Sequence, residues 1–234
     1  MRKAPTRSSQ DDLTDVFATF PDAMAQFDHL RSLPISDIAT SDVLRVWHSY
    51  ADLVKQLECW RSNSESTTKF SYQASRILNP EYDGHLLDLV PKVRQYPRMI
   101  DSKTNMTYFV SHLVIYLEML QLHQFTDAWQ KQKNFQPAAA AEITAFMERQ
   151  TSPAQAMSEA HGYCDAIVES VEQFLHPESG VLAAGAVVFP IMMSIGFLAP
   201  QGDPRVEYLL TVSKRYQATS RYPLDNIVAN AMAR

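Results

Sequence analysis

The sequence predicts an all-α protein, a single helical domain of roughly 8–10 helices packed around two central hydrophobic helices. Hydrophobic residues make up 46% of the 234 residues and charged residues 20%, which is typical of a chain with a folded core. Only 6 residues are glycine, so folds built on glycine-rich turns and phosphate loops are disfavoured. Apolar residues recur at spacings of three and four along most of the chain, and no segment shows the alternation of a β-strand.

The N-terminal residues are expected to differ from the rest of the chain. Three cations stand within the first seven residues, at Arg2, Lys3 and Arg7, and the residues after them are rich in acids. We therefore predict a flexible basic tail over residues 1–10 and an all-helical regulatory domain over residues 11–234. A solvated tail explains the basic run better than a nucleic-acid arm does, and no apolar run follows it that would indicate a secretory signal.

Helices are predicted along the first half of the chain. Ser9 is expected to cap the first, and Pro21 to open the second. The third, over residues 41–61, is the strongest of them, because its apolar residues form one stripe that should face the core. The stripe consists of Val43, Val46, Trp47, Tyr50, Val54, Leu57 and Trp60. Weaker helices are predicted over residues 70–78 and 86–93, and Pro91 and Pro97 should kink or end the second of them.

Long apolar helices are also predicted in the second half. Residues 107–125 leave little polar face, so this helix should be buried. Ser152 and Pro153 are the cap and first residue expected of another helix, whose apolar stripe continues to residue 175. Short helices are expected over residues 206–213 and after Pro223.

Residues 181–199 carry no charge, and a segment of this kind, about 18–20 residues long, can span a bilayer. The alternative is a pair of buried helices. Pro190 stands in the middle of the segment, and Gly185 and Gly196 lie on either side of it. Because no Lys or Arg stands at either end, we predict a buried core and no membrane contact.

The charge and the cysteines disfavour further classes of protein. The net charge is −5, so direct binding of nucleic acid by this chain is not expected. Cys59 and Cys164 are too few for a disulfide framework or a zinc cage, which fits a reducing compartment. The glycosylation pattern that begins at Asn105 is then a chance match.

The clearest catalytic pattern is Asp11-Asp12-Leu-Thr-Asp15, which fits the D-D-x-x-D pattern of class I terpene synthases and prenyltransferases. On a helix Asp11 and Asp15 share a face, and such carboxylates can hold the magnesium ions that bind a diphosphate. A magnesium-dependent isoprenoid enzyme that uses Asp11, Asp12 and Asp15 is therefore the alternative function. We prefer the interpretation that these acids stabilise the first turn of a helix, because the second metal motif of those enzymes is missing.

Four further residues have side chains that can carry chemistry. His161 and Cys164 are three residues apart on a predicted helix and could form a metal or nucleophile pair, and His112 and His123 could line a ligand cavity. Core packing is favoured for His161 and Cys164, and a hydrogen-bonded core or boundary position for His112 and His123. The methionines, two of which are adjacent at 192–193, could form an adaptable binding surface, but we expect them to fill gaps in the core. We therefore predict no catalytic, cofactor-binding or metal-binding residue, and no cofactor.

Four segments in order resemble the C-terminal regulatory region of fungal zinc-cluster transcription factors, the fungal-specific transcription factor domain. They are residues 42–60, 106–116 and 160–171 and the pair Phe189-Pro190. The likeness extends over residues 42–221. The DNA-binding module of that family needs six cysteines, whereas this chain has two, so the resemblance implies the regulatory region without its zinc-cluster module.

This resemblance implies a non-catalytic domain that receives a signal and passes it to transcription, often of secondary-metabolism genes. The expected partners are proteins of the transcription machinery, a small effector or a second copy of the chain. The expected location is the nucleus, with the cytoplasm as the alternative. The signal would pass through a shift between helical packings, and the resemblance assigns no residue of this chain to an effector site.

Overall fold

The structure is a computed structural model, and it describes residues 8–64, 69–75, 84–133, 137–175 and 180–220. Within these ranges the chain is all-α, with nine α-helices and one small sheet, so the predicted fold class is confirmed. The helices are α1 (Ser9–Ala18), α2 (Phe20–Ser32), α3 (Thr40–Asn63), α4 (Gly84–Leu89), α5 (Met99–Gln132), α6 (Pro137–Gln150), α7 (Pro153–Leu175), α8 (Gly180–Leu198) and α9 (Arg205–Ser220). The strands are β1 (Ser71–Ala74) and β2 (Lys92–Gln95).

The chain divides into two compact units. The first contains α1, α2, α3, the part of α5 from Ser111 onward, α6, and the part of α7 up to His161. The second contains both strands, α4, α5 up to Val110, α7 from Gly162 onward, α8 and α9. The two longest helices of the second half, α5 and α7, therefore contribute residues to both units.

Helix α1 begins with a capping box formed by Ser8 and Asp11. The Asp11 amide donates to Ser8 Oγ at 3.2 Å, and the Ser8 amide donates to Asp11 Oδ2 at 3.0 Å. The cap is therefore Ser8, one residue before the predicted Ser9. Residues 1–7 of the predicted basic tail lie outside the described residues. Pro21 stands in the first turn of α2, as predicted.

The predicted apolar stripe of α3 lies in the core of the first unit. Its members are buried except Val54, which is half-buried because the neighbouring Leu53 takes the core position. The Trp60 indole N–H donates to the Ser9 carbonyl at 2.6 Å, so the end of α3 is held against the start of α1.

Aromatic rings join α2, α3 and α5 within the same unit. Phe27 of α2 lies edge-on to Tyr50 of α3 and to Phe125 of α5, with ring centroids 6.4 Å and 5.8 Å apart. This edge-to-face geometry is the one that the ring quadrupoles prefer. The three helices are therefore joined by two favourable ring contacts at Phe27.

Helix α6 is not predicted by the sequence analysis. Among its described side chains, Ile143 and Met147 are the buried large hydrophobics, so its apolar stripe is too thin to stand out. The signal that could have shown it is the alanine run over residues 138–141, since alanine has the highest helix propensity.

The second unit contains strands where the sequence analysis expects none. β1 and β2 pair antiparallel, with Tyr72 opposite Arg94. The predicted helix over residues 70–78 is therefore wrong in its described part. The predicted helix over residues 86–93 ends early, because Pro91 cannot continue a helix and β2 follows it. Each strand has four residues, and its stability comes from a partner distant in the sequence.

The long helices confirm their predictions. α5 contains the predicted residues 107–125 and extends beyond them at both ends. α7 begins at Pro153, and the Gln155 amide donates to the Ser152 hydroxyl at 3.2 Å, so Ser152 is the cap that the sequence indicates.

Gln173 of α7 joins three elements of the second unit. Its Oε1 accepts a hydrogen bond from the Tyr96 amide at 2.9 Å, and its Nε2 donates to the Tyr96 carbonyl at 2.9 Å. The Ser102 hydroxyl of α5 donates to the same Oε1 at 3.3 Å. One side-chain amide therefore holds the end of β2 and the start of α5 against α7.

Nearly all of residues 181–199 form one helix, α8, and not the predicted helix pair. Pro190 lies inside this helix and is buried. Of the helices in the described part of the chain, none combines the length and the apolar character needed to cross a membrane.

Helix α9 packs against α8 after a tight connection. A short 3₁₀ turn over Ala199–Gln201 leads to Gly202, whose φ of 67° is a left-handed conformation that favours glycine. A connection this short is typical of two antiparallel helices. The Tyr208 hydroxyl donates to Glu172 Oε1 of α7 at 2.9 Å. The predicted helix after Pro223 lies outside the described residues.

Replacement of Gln173 by alanine should destabilise the protein by about 1–3 kcal/mol, because both hydrogen bonds to the Tyr96 backbone are lost. The midpoint of urea denaturation measures this change. Gln124→Ala, at an exposed position of α5, is the matched control and should leave the midpoint near that of the wild type. Equal midpoints for the two variants would contradict the bridging role of Gln173.

Candidate functional site

His112 of α5 is a fully buried histidine in the first unit. Its ring stacks on Tyr116 with ring centroids 5.9 Å apart, and its Nε2 lies 3.4 Å from Glu58 Oε1 of α3. Burial, together with the positive charge of Arg61, lowers the pKa of His112 to about 3. The Glu58 carboxylate acts in the opposite direction, but it is half exposed to water, so burial decides the outcome. His112 is therefore neutral at neutral pH.

A part-buried polar pair also links α3 to α5. The Tyr50 hydroxyl donates to Glu118 Oε2 at 3.3 Å. Burial raises the pKa of Tyr50, and the charge of Glu118 raises it further. Burial also raises the pKa of Glu118, against the attraction of the Arg31 guanidinium. Arg31 of α2 donates to Gln121 Oε1 at 3.0 Å, so this polar network contacts three helices.

His123 lies near the end of α5 in the first unit. Its ring meets Trp47 edge-on at 4.8 Å, and its Nε2 lies 2.9 Å from the Thr151 carbonyl. It is the hydrogen-bonded boundary histidine that the sequence analysis prefers. A surface cavity of about 140 Å³ in this unit lies between α2 and α3, and its lining includes His29 and Arg45 but neither His112 nor His123.

The three aspartates of the D-D-x-x-D pattern lie on α1. Asp11 belongs to the capping box, and its Oδ2 also accepts the Ser8 hydroxyl at 2.7 Å, so its preferred role in the first turn is confirmed. Asp12 and Asp15 are exposed. Among the residues that the structure describes, no three His, Cys, Asp or Glu side chains come together as metal ligands. The magnesium enzyme stays a prediction.

The surroundings of the other candidate residues indicate roles in packing and not in chemistry. Cys164 is fully buried, and burial raises the pKa of its thiol to about 11, so it packs as a small hydrophobe as expected. His161 is half-buried. Asn105 is fully buried and donates to the Asp101 carbonyl at 2.8 Å, which excludes a glycan there.

Arg94 of β2 lies in an aromatic cluster that the sequence analysis does not identify. Its guanidinium stands over the rings of Phe70 at 4.6 Å and Phe109 at 5.3 Å, and its Nε donates to Glu169 Oε2 of α7 at 2.8 Å. The Tyr72 hydroxyl donates to the same oxygen at 3.2 Å. Both strands, α5 and α7 therefore meet at one shielded ion pair, and only the register of β1 on β2 could have shown it.

Helix α8 exposes an apolar face in the second unit. Gly185, Phe189 and Gly196 are exposed and Met192 is half-exposed, and these positions lie within about 60° of one another around the helix. Phe189 is 46% exposed. The opposite side of α8 is buried, with Val187, Ile191, Ser194, Ile195 and Leu198.

We call the four positions Gly185, Phe189, Met192 and Gly196 the outer face of α8. The expectation that the methionines at 192–193 fill the core is wrong in part, because both are half-exposed on this side of the helix. A contiguous exposed apolar surface is typical of a site of protein–protein contact.

Comparison with protein-family models, with curated proteins and with solved structures finds no significant match for this chain. The resemblance to the regulatory region of zinc-cluster factors therefore stays a prediction.

Replacement of His112 by phenylalanine should reduce the loss of stability in acid. Below the ordinary histidine pKa of 6.5 the unfolded chain takes up a proton on His112, whereas the folded chain does so only near pH 3. Between these values, protonation of His112 in the unfolded chain should lower the free energy of unfolding by about 1.4 kcal/mol for each unit by which the pH falls. Urea denaturation at a series of pH values measures the slope.

The matched control for this experiment is His29→Phe, at an exposed position of α2, which should keep the acid slope of the wild type. Only the slope is compared, so a constant loss of stability in His112→Phe does not affect the result. An unchanged slope in His112→Phe would contradict the neutral state of the buried ring.

Replacement of Glu118 by glutamine should raise the free energy of unfolding at pH 7. The amide keeps an acceptor for the Tyr50 hydroxyl and removes a charge that burial disfavours. Because the pKa of Glu118 is raised, the wild type recovers stability as the pH falls and the carboxylate is protonated, so the difference should shrink in acid. Urea denaturation at neutral and acid pH tests this, with Glu148→Gln at an exposed position of α6 as control. A less stable Glu118→Gln at pH 7 would show that the attraction of Arg31 outweighs burial.

Proposed function

We propose that this chain is a non-catalytic transcription-regulatory domain, similar to the C-terminal region of fungal zinc-cluster transcription factors. One observation carries the proposal. The four segments that resemble that family all fall within helices: residues 42–60 in α3, 106–116 in α5, 160–171 in α7 and 189–190 in α8. The resemblance therefore follows the buried helices of the fold and not its connections.

The polar contacts between helices, one part-buried and one buried, support a regulatory role. A domain that transmits a signal needs discrete packings, so that a ligand or partner can shift the population from one to another. Tyr50 with Glu118 joins α3 to α5, and Tyr208 with Glu172 joins α9 to α7. Such contacts are satisfied in one arrangement of the helices and are lost when a helix slides, so intermediate packings are costly.

The outer face of α8 supports an output through protein contact. It places Phe189 at the surface within a helix that carries no charge. Under this proposal the partners are proteins of the transcription machinery, with a small effector as the input. The domain would act in the nucleus on genes such as those of secondary metabolism. The Asp11 carboxylate is engaged in a helix cap, so the arrangement on α1 favours a structural role over a magnesium site.

The test is a reporter assay with the whole chain fused to an unrelated DNA-binding module whose operator controls the reporter. We expect the fusion to raise or lower expression several-fold relative to the module alone, because the domain recruits a partner to the promoter.

A folding control is provided by Leu113→Asp, which places a charge at a fully buried position of α5 and should abolish the effect. The amount of each fusion protein is measured by immunoblotting. Reporter levels that are the same for the wild-type fusion and for the module alone, at equal protein levels, would overturn the proposal.

A further inference from the structure

The outer face of α8 has the same order of small and large residues whichever end of the helix it is followed from. Its residues follow as Gly185, Phe189, Met192 and Gly196, at spacings of four, three and four. A small residue therefore stands at each end and two large apolar residues stand in the middle. At both glycines, no atom of the described chain lies within 4 Å of the point that a Cβ would occupy, apart from the helix's own neighbouring residues.

We propose that this face is a homodimer interface in which two copies of α8 pack antiparallel about a twofold axis. The axis passes between Phe189 and Met192. Each Phe189 then meets Met192 of the partner subunit, a favourable contact between sulfur and an aromatic ring. Each Gly185 lies opposite Gly196 of the partner subunit, where the absence of side chains lets the backbones approach. A twofold interface requires a self-complementary surface, and this face is one.

The charges beside α8 favour a second copy in the antiparallel direction. The outer face carries no charge, so a charged partner surface would lose water there without compensation. The short connection between α8 and α9 is typical of antiparallel helices. It places the exposed Glu207, which lies 3.7 Å from His85 of α4, toward the C-terminal end of α8, and the exposed Lys214 toward its N-terminal end. Antiparallel pairing places the acidic end of one copy at the basic end of the other, and it also opposes the two helix dipoles. Parallel pairing would bring like charges together.

The small size of the outer face limits the affinity of the dimer. Its four positions extend over about 16 Å of helix, which is small for a stable protein interface. The dimer is therefore expected to form at micromolar concentrations and to dissociate on dilution. This inference rests on α8 and α9 alone and does not depend on the proposed role in transcription.

Sedimentation velocity of the whole chain over a series of concentrations tests the interface. The wild type should shift from monomer to dimer as its concentration rises. Phe189→Glu should weaken association by at least about tenfold, because it buries a charge without a partner. The matched control is Ile100→Glu, which changes another exposed hydrophobic residue of the second unit, 43% exposed at the start of α5, and should dimerise as the wild type does.

Substitutions of the two glycines test the interface without destabilising the monomer, so a loss of dimer cannot be attributed to unfolding. Gly185→Ala and Gly196→Ala should each leave the melting temperature of the monomer unchanged or raise it, because the space is open and alanine favours the helix. Each should nevertheless weaken the dimer by about tenfold, because a methyl group separates the two backbones. If Phe189→Glu fails to fold, this pair of variants decides the question.

Cysteine cross-linking tests the direction of the helices. In a Cys59→Ser background, a mixture of Phe189→Cys and Met192→Cys chains should form more disulfide-linked dimer than either variant alone. Stronger linking of Phe189→Cys with itself would indicate parallel helices and overturn the proposed geometry. A chain that stays monomeric at all concentrations, or a dimer that is insensitive to the Phe189 and glycine substitutions, would overturn the interface itself.

Discussion

Between Asp101 and Tyr116, helix α5 is enclosed on nearly all sides, and this enclosure is the constraint on which the rest of the described structure depends. Polar side chains in such a helix must find hydrogen-bond partners without water. Thr104, Asn105 and Thr126 do so by donating to the carbonyl four residues earlier in the same helix, at 2.7–2.8 Å. This local satisfaction allows neighbouring elements to present apolar surfaces to α5.

Ionisable side chains on α5 cannot be satisfied in this local way. His112 remains neutral because burial outweighs the nearby Glu58, and burial raises the pKa of Glu118 against the charge of Arg31 and the hydrogen bond from Tyr50. The pKa values of these two groups therefore depend on how α3 packs on α5. Any rearrangement that admits water between the helices would change both pKa values, so the packing of the first unit is coupled to proton binding.

The polar contacts of the second unit, unlike the hydrogen bonds within α5, join elements that are distant in the sequence. Arg94 with Glu169 and Gln173 with the Tyr96 backbone hold the sheet and α5 against α7. α8 is apolar all round, so burying one side of it necessarily leaves an apolar side toward solvent. The second unit therefore combines an interior held by polar contacts with a surface helix that has an apolar outer face.

The sequence by itself determined the fold class, the long helices α3, α5 and α7, and the cap of α7. Helical hydrogen bonds and helix caps connect residues that are at most four apart, so the information for them is local. For the same reason the roles of Asp11 in a cap and of Cys164 in the core could be predicted from their neighbours. The weak apolar stripe of α6 and the exact cap residue of α1 are local features that the prediction missed.

The tertiary structure alone decided the sheet, the Arg94 cluster and the outer face of α8. The strands pair Tyr72 with Arg94, and Glu169 reaches them from a helix far along the chain, so no local pattern could indicate the contact. In α8 every position is apolar enough to be buried. Which side faces water is therefore settled only by the elements that pack against it, since a uniformly apolar helix carries no periodic signal of its own orientation.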